Sequence, residues 1–102
     1  MGFECRVNAE EKLITMKVIG QFDFSIQKPF REAYRYHQDP GYQFEIDLSS
    51  AEYMDSAALG MLMLLKEHAD TVQCNVKLVN PSVAIGKLLE VAKFGKLFEI
   101  RY

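Results

Sequence analysis

Asp55-Ser56 opens an apolar run, Ala57 to Leu65, interrupted only by Gly60. Both residue types suit a helix N-terminus, where a short oxygen-bearing side chain accepts from a free backbone N–H. A serine there is also a favourable place for phosphate. First-turn N–H groups point outward, and the helix dipole favours negative charge. Phosphorylation would add roughly −1.5 to −2 charge without breaking the helix. On spacing alone such a pair is most often a plain cap, and both readings stand at this point.

Other chemistry finds less support. His37 and His68 are isolated, without metal-ligand spacing to another His, Cys or carboxylate. Each reads as a dipole partner near a helix C-terminus. No G-x-S-x-G elbow surrounds Ser56, which argues against a hydrolase, and no P-loop or kinase signature occurs. Cys5 and Cys74 lie far apart in strand-like, apolar surroundings and form no CxxC pair. They read as two reduced core cysteines, not as a disulfide or a metal site. Tyr34-Arg35-Tyr36 has the makings of a base-stacking patch but lacks a basic surround, so half-buried helix residues are the plainer reading.

The elements that must position Ser56 follow from periodicity. Phe3 to Asn8 alternates apolar and polar, as a half-buried strand does. Lys12 to Ile19 is a second, β-branched strand that Gly20 is expected to end, and the short connection suggests an antiparallel hairpin. Gln21 to Ser25 reads as a loop. A helix starting between Ile26 and Pro29 places Ile26, Phe30, Ala33, Tyr34 and His37 on one face, until Asp39-Pro40-Gly41 closes it. Tyr42 to Leu48 is a third strand and Ser49 to Met54 a polar link. The helix from Asp55 or Ser56 to about Ala69 follows, then a fourth strand, Gln73 to Val79.

Asn80-Pro81 predicts an N-cap with a proline in the first turn. The third helix then runs to about Lys93, with Val83, Leu88 and Val91 near Ala84 and Ile85 on its apolar stripe and Gly95 as its stop. Leu97 to Ile100 is a short final strand or turn. The order β-β-α-β-α-β-α-(β) implies one α/β domain over residues 1–102, with a mixed, mostly parallel sheet and right-handed crossovers.

The helix behind Ser56 is apolar nearly all the way round until Lys66. A surface helix normally carries a polar outer face. Either neighbouring helices cover its far side, or it is an exposed interaction patch. Gly60 costs about 1 kcal/mol relative to Ala in mid-helix. Close approach of another backbone, within the domain or from a partner, would account for it.

The totals exclude several classes. A length of 102 residues suits one core. The formal net charge of −2, with Lys and Arg scattered, lacks the basic field that attracts nucleic acid or an anionic membrane surface. No apolar stretch approaches the length of a membrane span. The first residues show no secretory signal, and Arg6 stands where a myristoylation motif needs Ser or Thr. A cytoplasmic location is the expectation.

Asp47-Leu48-Ser49, followed by Tyr53-Met54-Asp55-Ser56-Ala57-Ala58-Leu59-Gly60, resembles the central motif of STAS domains, the family of bacterial anti-sigma factor antagonists. The likeness extends over nearly the whole chain. It includes the opening hairpin, Gly20 with Asp23 after it, Pro81-Ser82-Val83 through Lys87-Leu88-Leu89, and Phe94-Gly95-Lys96-Leu97-Phe98.

The resemblance implies a non-enzymatic, phosphorylation-switched binding module with Ser56 as phosphoacceptor. It implies partner contacts from Asp23, Asp55, Ala57, Ala58, Leu59, Gly60 and Met63. The expected partners are an anti-sigma factor that is also a serine kinase, and a PP2C-type phosphatase. No cofactor, metal, nucleic acid or membrane insertion is implied, and the expected state is a monomer or weak dimer. Ala57 and Ala58 depart from the family, which often has Ser or Thr and then Gly there. The alternative is a constitutive docking subunit, such as the STAS component of a membrane lipid transporter, with Ser56 a plain cap.

Overall fold

The computed structural model describes residues 2–102, so Met1 of the expected domain lies outside the described residues. Five strands and three α-helices follow in order: β1 (Phe3–Asn8), β2 (Leu13–Phe22), α1 (Gln27–Glu32), β3 (Gln43–Met54), α2 (Ser56–Thr71), β4 (Asn75–Val79), α3 (Val83–Val91) and β5 (Glu99–Arg101). Short 3-10 turns at Phe24–Ile26 and Phe94–Lys96 precede α1 and follow α3.

The sheet runs β1-β2-β3-β4-β5 in sequence order. β1 is antiparallel to β2 and every later pairing is parallel, as the alternation of strands and helices implies. Right-handed crossovers between consecutive neighbours put every helix on one face. Burial shows the same division. Ile14, Met16, Val18, Phe44, Ile46 and Leu48 are buried under the helices, while Thr15, Lys17, Glu45 and Asp47 face the open side. Each large apolar side chain buried this way contributes about 1.5–3 kcal/mol. On the open side, charges pair across strands: Lys77 with Glu99 at 3.4 Å and Arg101 with Glu45 at 3.9 Å.

Several boundaries differ from expectation, each for a tertiary reason. Gly20 does not end β2. It sits at φ +80 beside a register shift, and the strand continues to Phe22. The expected link Ser49 to Met54 is the second half of β3. Ser50, Ala51, Tyr53 and Met54 pair with Ile19, Gly20, Gln21 and Phe22, and Ser49 and Glu52 fall at two register shifts, between Lys17 and Ile19 and between Gly20 and Gln21. At the first shift the Asp47 carboxylate accepts from Ser49 N–H at 2.9 Å, so the D-L-S triplet stabilises a bulge in mid-strand.

α1 is shorter than its apolar face. Tyr34 N–H turns back to Arg31 and His37 N–H to Tyr34, a tighter winding that ends the helix. The cap of α3 is Ser82 rather than Asn80, whose φ of 56 leaves it in the left-handed region. Lys93, at φ 60, turns the chain after α3, and Gly95 belongs to the following 3-10 turn. The core stripe of α3 is Ile85, Gly86 and Leu89; Val83, Leu88 and Val91 point to solvent.

The histidines serve packing. His68, in the last turn of α2, donates to the His37 carbonyl at 2.9 Å, and His37 packs edge-on against Tyr42 and Phe44. Tyr34 is buried while Arg35 stacks over the exposed Tyr36. Cys74 is buried but Cys5 is exposed, which corrects the reading of two core cysteines.

Candidate functional site

The site is built where β2 and β3 end together. Phe22 is register partner to Met54, and both are buried. The next residue of each strand is an aspartate that turns the chain into a helical segment. Asp23 has φ −144 and ψ −169, and Asp55 has φ −119 and ψ −174. The two junctions are conformational twins. Asp23 accepts from Ser25 N–H at 2.9 Å and from the Ser25 hydroxyl. Asp55 accepts from Ala58 N–H at 3.0 Å. The hydrogen bonds from the Ser25 hydroxyl and amide hold the Asp23 carboxyl below the usual carboxylate range.

Because Asp55 supplies the cap, Ser56 does not. Ser56 is the first residue of α2 and is exposed. Its amide and that of Ala57 precede the amides already engaged, since Ala58 N–H goes to the Asp55 carboxylate and Leu59 N–H to the Asp55 carbonyl. Unclaimed first-turn N–H groups suit an anion. Asp55, and Asp23 at the neighbouring strand end, place negative charge beside the site.

α2 buries Ala58, Met61, Leu62, Leu65 and Ala69, a spacing of three and four residues that lays one stripe on the sheet. The far side is open. Gly60 is exposed, Met63 is 50% exposed and Leu64 is 55% exposed. A Cβ at Gly60 would meet nothing within 4 Å, so no packing inside the domain requires glycine there. Ala57 is half-buried. Leu59 is half-buried and packs against the core, so it divides its surface between core and solvent. Ala58 is 0% exposed, which corrects its expected role: its side chain is core and presents no surface to a partner.

Leu64 widens the exposed α2 face beyond the residues expected from sequence, and Phe24 and Tyr53, also exposed, flank the twin junctions, Tyr53 on the helix-free side of the sheet. Tyr53 precedes the inward Met54, so strand alternation was the signal for its outward direction, hidden by reading this segment as a link. Among the described residues, no three His, Cys, Asp or Glu side chains converge to hold a metal, and no helix is long and apolar enough to cross a membrane.

A one-sided mixed sheet in this strand order is the architecture of a STAS domain. The family model described as "Mlab, STAS domain" matches residues 5–99. A STAS-domain containing protein of Pseudomonas aeruginosa (strain UCBPP-PA14) is 37% identical over 100 residues, covering 98% of this chain and 99% of that one. The chain belongs to the STAS domain family.

The fold matches that of known structures at low identity. The crystal structure of TM1081 from Thermotoga maritima superposes with a TM-score of 0.82 at 16% identity, covering 98% of this chain and 86% of that one. The anti-sigma factor antagonist SpoIIAA in its unphosphorylated form gives 0.68 at 14% identity, with the same coverages of 98% and 86%. A sulfate transporter family protein from Wolinella succinogenes gives 0.79 at 12% identity, covering 94% and 80%.

Proposed function

We propose that this protein is a phosphorylation-switched, protein-binding regulator of the anti-sigma factor antagonist kind. Unphosphorylated, it binds an anti-sigma factor that is also a serine kinase. Phosphorylated on Ser56, it releases that partner, and a PP2C-type phosphatase resets the cycle. Catalysis belongs to the partners; this chain supplies a positioned hydroxyl. The observation that carries the reading is the division of labour at the head of α2, where Asp55 caps the helix and Ser56 is left exposed.

The physical consequence of phosphorylation is local. A phosphate on Ser56 adds roughly −1.5 to −2 charge beside Asp55 and Asp23. Free first-turn N–H groups offset its cost to the helix, so the fold persists. The neighbouring apolar surface of Gly60, Met63 and Leu64 then carries an anion at its rim. A partner that desolvates this surface must also desolvate the phosphate, which is unfavourable by several kcal/mol when the charge goes unpaired.

A second reading is a constitutive docking subunit, and the exposed stripe favours it too. Gly60, Met63 and Leu64 present an apolar face whatever the state of Ser56. Calorimetric titration of the kinase partner against Ser56 variants separates the two. Ser56→Ala is expected to bind persistently in the presence of ATP. Ser56→Asp is expected to bind at least about tenfold more weakly than wild type, a difference of about 1.4 kcal/mol. Equal binding by wild type and both variants would replace the switch with constitutive docking.

A further inference from the structure

Strand β1 forms one edge of the sheet. Ile19 N–H donates to the Gly2 carbonyl at 2.9 Å, which makes these two a hydrogen-bonded pair in the β1–β2 ladder. Alternation then directs the N–H and C=O groups of Glu4 and Arg6 toward β2, and those of Phe3, Cys5 and Val7 outward. Such a row of outward groups is a template for another strand. β1 contains no proline to block it. Cys5 and Val7 share the helix-side face with Met16 and Ile14, their register partners, yet Cys5 is exposed and Val7 is 64% exposed. Glu4 and Arg6 stand on the other face, opposite in charge and two residues apart.

We propose that β1 pairs antiparallel with β1 of a second copy of this chain, about a twofold axis at Cys5. Charge selects this register. With the axis at Cys5, Phe3 lies opposite Val7 of the second copy, Glu4 opposite its Arg6, and Cys5 opposite its Cys5. Apolar meets apolar and each charge meets its opposite. All three outward residues then take part, each pair exchanging both backbone bonds. Moving the axis one residue sets Glu4 against Glu4, or Arg6 against Arg6, and like charges directly opposite are unfavourable. A short edge strand buries less area than a permanent interface needs, so the dimer is weak and concentration-dependent. The α2 face lies over the central strands, away from this edge, and the pairing is independent of the function proposed for Ser56.

Sedimentation equilibrium of the full chain, up to about 1 mM, tests the proposal. Wild type is expected to dimerise reversibly. Glu4→Arg and Arg6→Glu, each folded by far-UV circular dichroism, are expected to weaken self-association by about tenfold or more. An equimolar mixture of the two is expected to regain it, because each like-charged edge then faces its complement.

Val7→Pro removes an outward N–H without taking a bond from β2, and is expected to leave a folded monomer. It keeps the test decisive if Glu4→Arg, which faces Lys17 within its own sheet, fails to fold. A short bismaleimide is expected to link the wild-type dimer through Cys5, whose Cα atoms would sit about 5.5 Å apart; Cys74 is buried and does not compete. A wild type that stays monomeric throughout, or dimers that Val7→Pro or both charge variants leave intact, would overturn it.

Discussion

In α3 the capping oxygen is Ser82 Oγ, which accepts from Ile85 N–H at 3.2 Å; in α2 it is a carboxylate oxygen of Asp55, which accepts from Ala58 N–H at 3.0 Å. Both helices thus have a serine at their head, but the two serines stand one position apart relative to the cap. Ser82 is occupied in holding its helix. Ser56 is one residue inside, exposed and relieved of that duty by the aspartate before it. Where an aspartate takes the cap, the following serine becomes available for modification at no cost to the helix. The surfaces differ as well. α3 leaves Val83 and Val91 at its two ends 78% and 81% exposed, whereas α2 gathers Gly60, Met63 and Leu64 behind the free serine.

The largest expected effects come from what the two helices share. Leu62 in α2 and Leu89 in α3 are both fully buried. Truncation of either to Ala is expected to cost about 2–5 kcal/mol in urea unfolding, while Met63→Ala, on the open face, stays within about 0.5 kcal/mol of wild type. A large loss at Met63 would place the outer face of α2 in the core.

The caps are expected to come next, and they sharpen the contrast directly. Asp55→Ala and Ser82→Ala should each lose about 1 kcal/mol, and Ser56→Ala should change stability by less than about 0.5 kcal/mol. Equal losses at Ser56 and Ser82 would make the two serines alike.

The smallest effect has the opposite sign. Gly60 faces open space, so Gly60→Ala is expected to stabilise the domain by about 0.5–1 kcal/mol through helix propensity alone. Under the binding proposal it should also weaken partner affinity, because the glycine has no packing role within the chain. Stabilisation with unchanged affinity would remove Gly60 from the interface.

The residues around Asp55-Ser56 were legible in sequence because a cap and an apolar run are local signals. The start of α2, the opening hairpin and the parallel order all rest on such signals, and the structure agrees with them. The second half of β3 was not legible. Ser49, Ser50 and Glu52 have little strand preference, and it is the pairing of Ser50, Ala51, Tyr53 and Met54 with β2, across two register shifts, that makes the segment a strand. Reading the segment as a link hid the outward direction of Tyr53.

Asn80-Pro81 misled for a related reason. Its local signature is sound, but the left-handed Asn80 carries the chain past it and leaves Ser82 to cap. Ala58 and Cys5 were misjudged because burial depends on what lies opposite. Ala58 meets the sheet, while Cys5 lies on an edge strand and stays exposed.

An intact mass and phosphosite map of the protein purified from its own cells, with phosphatases inhibited and without, tests directly whether Ser56 is a free acceptor rather than a cap. A switch at Ser56 requires a single phosphate on that residue that increases under inhibition. A chain that carries no phosphate under any growth condition, or carries it only at another residue, would contradict it.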